Sequence, residues 1–186
     1  MNDLRLRLLT LICERAYRQG DFTLSSGLKS SYYIDGKQVT LDAEGAWLTG
    51  KLLFELLPEG TQAVGGLTLG ADPIATAVSV ISYGEGRPIP AFIVRKQAKD
   101  HGANQQVEGP KLPPRSRVVI VEDVVTTGGS ALQAVTAVEA LGWQVAAILT
   151  VVDRQQGGAE RYASQGYPFQ ALFTIPELQA HYSRTR

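Results

Sequence analysis

With 186 residues, 18 basic and 18 acidic side chains and a sequence pI near 6.7, the chain can build one substantial core but not two ordinary domains. The cancelled charge excludes a general nucleic-acid or membrane-surface binder. A single cysteine, Cys13, excludes a disulfide framework within the chain.

From the N-terminus, a first helix is expected where Leu8, Leu9, Leu11 and Ile12 surround Cys13, which reads as a buried small apolar residue. Asp3, Arg5, Arg7 and Glu14 deny this stretch the apolar core of a signal peptide, and no apolar run approaches the roughly 20 residues that span a bilayer. A soluble cytoplasmic protein is expected. Beyond residue 40, helix-like and strand-like segments alternate. "DAEGAWLTGKLLFELL" is helical by spacing, "AVGGL" is a short strand entering a glycine turn, and "ADPIATAVSVIS" opens a helix with Asp72 as N-cap and Pro73 in first position. "PAFIVR", "RVVIVEDV" and "QVAAILTVVDR" are further strands. Such a βαβ series predicts an α/β fold, a mostly parallel sheet with helices on both faces. "RKQAKDHGANQQVEGPKLPPRS" interrupts it, about twenty residues without apolar periodicity, a length that marks a lid or binding loop. Two motif matches fail on context. "GAWLTGKL" has the glycine and lysine spacing of a nucleotide P-loop but ends in Leu52 and reads as a helix, and "GGLTLGAD" lacks the dinucleotide glycine order. The latter fits a tight turn that presents a helix N-terminus to an anion.

The densest chemistry lies in "VVIVEDVVTTGGSAL", from Val118 to Leu132. Val118, Val119, Ile120 and Val121 suit a strand covered on both faces, whose acidic end is expected at a solvent-facing edge of the sheet. Leu132, Val135, Val138 and Leu141 then recur at helical spacing, with Gly142 where a helix stops. A strand, a glycine turn and a helix make Thr126 to Ser130 a phosphate cradle at the carboxyl end of a strand. Glu122 and Asp123 cannot hold the same phosphate, but carboxylates accept hydrogen bonds from sugar hydroxyls and attract hydrated Mg²⁺. Together the two halves describe a pocket for a phosphorylated sugar.

The order hydrophobic, acid, acid, hydrophobic, hydrophobic, Thr, any residue, Gly resembles the binding motif of the type I phosphoribosyltransferases for 5-phospho-α-D-ribose 1-diphosphate (PRPP). The resemblance implies that Glu122 and Asp123 hold the ribose hydroxyls, that the turn of Thr126, Thr127, Gly128, Gly129 and Ser130 holds the 5-phosphate, and that Val124 and Val125 belong to the same PRPP site. It makes diphosphate the anion of the "GGLTLGAD" turn. It also explains Arg95, Lys96, Lys99 and His101, because a loop of cations that closes over a departing diphosphate stabilises the charge as it develops and excludes water. "FTLSSGLKSSYYID" at 22–35, "RKQAKDHG" at 95–102 and "DRQQGG" at 153–158 narrow the likeness to the orotate phosphoribosyltransferases. That likeness implies orotate and Mg-PRPP as substrates, orotidine 5′-monophosphate and diphosphate as products, and Lys99, His101 and Asp123 as catalytic residues. Thr126 and Arg154 would meet orotate beside an aromatic wall of Tyr32 and Tyr33. It further implies Mg²⁺ carried by PRPP rather than bound directly, and a homodimer whose lid reaches the neighbouring site. The layout expected is one domain, with an N-terminal hood over about 1–40, a core over about 41–186 and a mobile loop over about 96–114.

Orotate is a planar carboxylate that a guanidinium pairs with bidentately and an aromatic ring can stack upon, so the residues agree with the resemblance. The chain departs from some members at two lysine positions, having Ser25 and Gly70 there; Lys29 is the replacement the sequence offers. Two alternatives stand: a phosphoribosyltransferase for a purine or uracil, and a non-catalytic PRPP-sensing regulator. Arg154 opposes the first, since a neutral base leaves a buried arginine unpaired. Zero net charge, no length for an added DNA-binding unit, and the presence of Lys99 and His101 oppose the second.

Overall fold

The computed structural model describes residues 3–23, 29–97 and 106–185. Helix α1 (Asp3–Arg15) buries Leu8, Leu9, Leu11, Ile12 and Cys13, the apolar stripe that helical spacing creates. The hairpin β1 (Tyr17–Thr23) and β2 (Lys29–Ile34) follows, antiparallel, then α2 (Lys37–Thr40). Helix α3 (Ala43–Glu55) starts at Asp42, whose side chain accepts a hydrogen bond from the Gly45 N–H. The rest alternates: β3 (Ala63–Leu67), α4 (Ala71–Gly84), β4 (Ala91–Val94), β5 (Val107–Glu108), β6 (Arg117–Val125), α5 (Gly129–Glu139), β7 (Gln144–Asp153), α6 (Gly158–Ser164), β8 (Phe169–Thr174) and α7 (Ile175–Arg184).

The main sheet has the order β5-β4-β3-β6-β7-β8 and is parallel except for β5, which runs antiparallel to β4. Alternate residues of β6 serve opposite cores. Val119 and Val121 pack with Leu8, Leu53, Ile74 and Val78 on one face, while Val118 and Ile120 pack with Leu132, Val135 and Val138 on the other. Burial on both faces is why the strand reads as an unbroken β-branched run.

Three details differ from the sequence reading. Asp72 is not an N-cap. Helix α4 begins two residues earlier, at Ala71 with Gly70 at its cap, so Pro73 is not its first residue, and Asp72 instead accepts a hydrogen bond from the Thr68 hydroxyl at 2.7 Å in the first turn, where the helix dipole favours an acid. The acids of β6 do not end the strand at a solvent-facing edge. Pairing with β3 stops at Ile120, pairing with β7 continues to Val125, and the exposed flank this leaves is covered, so Glu122 and Asp123 are only 7% and 9% exposed. The segment after β4 is not one unstructured loop either, because Val107 and Glu108 pair with Val94 and Ile93 along what is otherwise an open sheet edge.

Cys13 lies 3.5 Å from the Leu178 carbonyl, and burial pushes its thiol up to about 11. The folded protein at pH 8 is expected to leave Cys13 unreacted with a disulfide-exchange reagent over minutes and to react fully in denaturant. Immediate labelling of the folded chain would contradict this packing.

Candidate functional site

Asp123 stands where β6 has outrun β3, between two backbone turns. A Cβ on Gly36 would lie 2.9 Å from its Oδ2, and one on Gly70 would lie 2.6 Å from its Oδ1, so neither turn tolerates a side chain there. Its Oδ1 accepts from the Val124 N–H at 2.9 Å, and Lys37 Nζ lies 4.0 Å from Oδ2 and 2.7 Å from Asp35 Oδ1. Asp35 raises the Lys37 ammonium above its ordinary value and Asp123 adds to this. Glu122 has a buried Oε2 with no partner among the described residues. Burial first, then the neighbouring Asp123 charge, push Glu122 up to about 8.

Two cavities meet at Glu122. One, about 280 Å³, is lined by Lys37, the turn of Thr68, Leu69 and Gly70, Lys96, Ser130 and both carboxylates. The other, about 150 Å³, is lined by Glu122, the backbone from Val124 to Ala131, and Tyr162. It opens on the first turn of α5, whose leading N–H groups have no intrahelical acceptor. Gly128 turns the chain here at φ +79°, and a Cβ on it would strike the Tyr162 ring at 2.7 Å, so both conformation and space require glycine.

The third component follows β7. Arg154 donates its backbone N–H to the Val125 carbonyl at 2.9 Å, fixing it beside the cradle. Its Nε donates to the Tyr32 hydroxyl at 3.1 Å, its guanidinium carbon lies 4.8 Å from the Tyr32 ring centroid, and its Nη2 is buried without a partner among the described residues. Asp153 does not pair with it, accepting instead from the Gln155 N–H at 2.8 Å. A guanidinium held on one side and unsatisfied on the other is prepared for a planar acceptor.

The structure thus brings together Glu122, Asp123, the cradle from Val124 to Ser130, Lys96, Arg154 and Tyr32. It does not bring Arg95 or Tyr33 to them. Arg95 pairs with Glu108 of β5 at 3.3 Å, because the strand pairing sets these side chains together. Tyr33 projects from the opposite side of β2 to Tyr32, 44% exposed and 5.6 Å from the Phe22 ring. Lys29 is engaged with the Thr23 hydroxyl on the hairpin, and Lys37 is the lysine at the acids. Lys99, His101 and Ser25 lie outside the described residues. Lys37, Gly36, Arg161 and Tyr162 were not singled out by sequence. "DGK" directly after "SSYYI" was the available signal for the first two, and α6 offered none.

Comparison with known proteins adds three findings. A family model for the phosphoribosyl transferase domain matches residues 57–169. The orotate phosphoribosyltransferase of Nostoc sp. is 58% identical over 182 residues, 98% of this chain and 88% of that protein, and the one of Aquifex aeolicus is 48% identical over 94% of this chain and 97% of its own. The structure of Mycobacterium tuberculosis orotate phosphoribosyltransferase in complex with PRPP aligns with a TM-score of 0.80 at 40% identity, covering 95% of this chain and 99% of that one.

Glu122 yields a prediction whose sign is fixed. An unfolded glutamate titrates at its ordinary value and the folded one near 8, so between these the folded state holds the extra proton, and that stability is lost as pH rises through the folded value. The melting temperature without ligand is expected to fall between pH 6 and pH 9, and to fall less in Glu122→Gln. Equal falls in both proteins would show that Glu122 is not the group responsible.

Proposed function

The chain belongs to the orotate phosphoribosyltransferases of the phosphoribosyl transferase domain family, and from that membership we infer how its residues divide the reaction. It transfers the phosphoribosyl group of PRPP to orotate, giving orotidine 5′-monophosphate and diphosphate in pyrimidine biosynthesis. The observation that carries the division is the half-buried, half-satisfied guanidinium of Arg154 beside the cradle, whose Nη2 is buried without a partner among the described residues. A neutral base leaves it unpaired, whereas the orotate carboxylate completes it, with the Tyr32 ring against the base.

On this reading the 5-phosphate sits in the cradle from Val124 to Ser130, the ribose hydroxyls meet Glu122 and Asp123, and the diphosphate enters the lysine-lined cavity against the turn at Thr68 to Gly70. As the bond from ribose C1 to diphosphate breaks and the orotate nitrogen approaches C1, positive charge grows on the sugar and negative charge on the leaving group. Lys96 lines the cavity that receives it. Lys99 and His101 are assigned to the same charge by family likeness, and Arg95 joins them only by releasing Glu108. Mg²⁺ belongs to this reading as a partner of PRPP. The donors fit a hydrated ion carried on the substrate, since Glu122 and Asp123 give two adjacent carboxylates and a hydrated Mg²⁺ needs no more from the protein. When bound, it neutralises part of the diphosphate charge.

We also propose a homodimer with crossing lids, in the cytoplasm. Supporting the dimer is a set of exposed apolar side chains that starts at the cavity: Leu69 in its turn, Val80 and Tyr83 on the outer face of α4, and Trp47 on the neighbouring α3, from 48% to 78% exposed. Supporting the location is Cys13, a free and buried thiol.

Two measurements check the division of labour. Arg154→Ala is expected to raise the KM for orotate by a factor that corresponds to about 2 kcal/mol, with far less effect on the KM for PRPP; an unchanged orotate KM removes Arg154 from the base site. Lys99→Ala and Asp123→Asn are each expected to be nearly inactive, yet to regain activity when mixed under subunit exchange, because one site of a mixed two-fold dimer receives both defects and the other neither. Half of randomly paired dimers are mixed, so roughly a quarter of all sites become native. No recovery despite demonstrated exchange contradicts the crossing lid and leaves the transferase reaction in place.

A further inference from the structure

Helix α6 takes no part in the sugar, base or diphosphate sites described above, yet it is fastened to three consecutive residues of the cradle. The Gly158 N–H donates to the Thr126 carbonyl at 3.1 Å, Arg161 Nη1 donates to the Thr127 carbonyl at 3.3 Å, and the Tyr162 ring lies directly beneath Gly128. The fit is close, since a Cβ on Gly158 would stand 2.4 Å from Val125 Cγ1. Tyr162 is fully buried and lines the cradle cavity, and its hydroxyl has no partner among the described residues.

Charge singles out Arg161. A phosphate monoester carries about −1.5 to −2 at neutral pH, and among the described residues none that lines the cradle is a cation. Backbone N–H groups and the α5 dipole supply only partial positive charge, worth about half an elementary charge at the helix end. The Glu122 carboxyl faces the same cavity and works against an anion whenever it is ionised. Arg161 stands at the rim. Its Nη1 is 3.9 Å from where a Cβ of Gly129 would be, its side chain is exposed, and among the described residues it forms no ion pair. Its guanidinium donates to a neutral carbonyl of the cradle itself, an anchor that a phosphate oxygen replaces with a charge-assisted one.

We propose that Arg161 is a further substrate-binding residue, whose guanidinium moves from the Thr127 carbonyl onto the 5-phosphate in the cradle while Tyr162 supports the loop beneath. This rests on the reading that the cradle holds that phosphate. Calorimetric titration of the full chain with ribose 5-phosphate and, separately, with inorganic diphosphate tests it. Arg161→Ala is expected to weaken ribose 5-phosphate tenfold or more and to leave diphosphate unchanged, with the KM for PRPP rising and that for orotate constant; Arg161→Lys, which keeps the charge, recovers part of the loss. Equal weakening of ribose 5-phosphate and diphosphate, or no rescue by lysine, would assign Arg161 a structural role and overturn the proposal. Gly129→Val, which puts a side chain at the head of the cradle, separates the two levels. If it abolishes ribose 5-phosphate binding while Arg161→Ala does not, Arg161 is excluded and the cradle reading stands. If neither substitution affects ribose 5-phosphate, the cradle reading fails and takes the proposal with it.

Discussion

Asp123 is held on a strand that continues past its neighbour, against two turns that each face it with a glycine, and the other parts of the site take their positions from that arrangement. Because β6 pairs with β7 as far as Val125 but leaves β3 after Ile120, its last residues have one flank unpaired. Gly36 and Gly70 cover that flank, at distances that exclude even a methyl group. The first turn delivers Lys37 and the hairpin that carries Tyr32. The second delivers the N-terminus of α4 and the Thr68 to Gly70 turn. Continuing the same strand by a few residues reaches Gly128, whose left-handed conformation begins α5 over the Tyr162 ring. On the proposed division of the site, the sugar, phosphate, diphosphate and base contacts would all refer to one strand end.

Burial at this point costs stability, and the structure leaves several of its polar groups unsatisfied: Glu122 Oε2, Asp72 Oδ1, Arg154 Nη2 and the Tyr162 hydroxyl. Buried groups without partners are uncommon in folded proteins and concentrate where a ligand completes them. Two of these line the cradle, and a third, Arg154, sits beside the Val125 carbonyl at its start. Interactions withheld until substrate arrives are preorganised for charge that develops during the reaction, which is how a site favours the transition state over the empty protein.

The sheet, and the strand, glycine turn and helix around the acids, were legible because they depend on local chemistry, while the burial of the acids was not. A β-branched run buried on both faces, glycines before a helical period and paired acids at a strand end are visible in one stretch of chain. What was not legible depends on pairings across the chain. Lys37 belongs in sequence to the N-terminal segment, and only folding sets it 4.0 Å from Asp123. Tyr32 and Tyr33 are adjacent, and which one meets Arg154 is decided by the hairpin register, which itself shifts between Gln19 and Phe22. Arg95 reads as one of a cluster of free cations until the pairing of β4 with β5 gives it Glu108. Asp72 looks like a cap because it precedes Pro73, but the turn from β3 starts the helix earlier.

The central claim, that the end of β6 organises a phosphoribosyl site, is tested most directly by a crystal structure with PRPP bound. The 5-phosphate oxygens are expected on the backbone N–H groups from Thr127 to Ser130, and the ribose hydroxyls within hydrogen-bonding distance of Glu122 and Asp123. Sugar phosphate bound elsewhere, for instance in the cavity of about 590 Å³ beside Leu112 and Trp143, with nothing in the cradle, would contradict it.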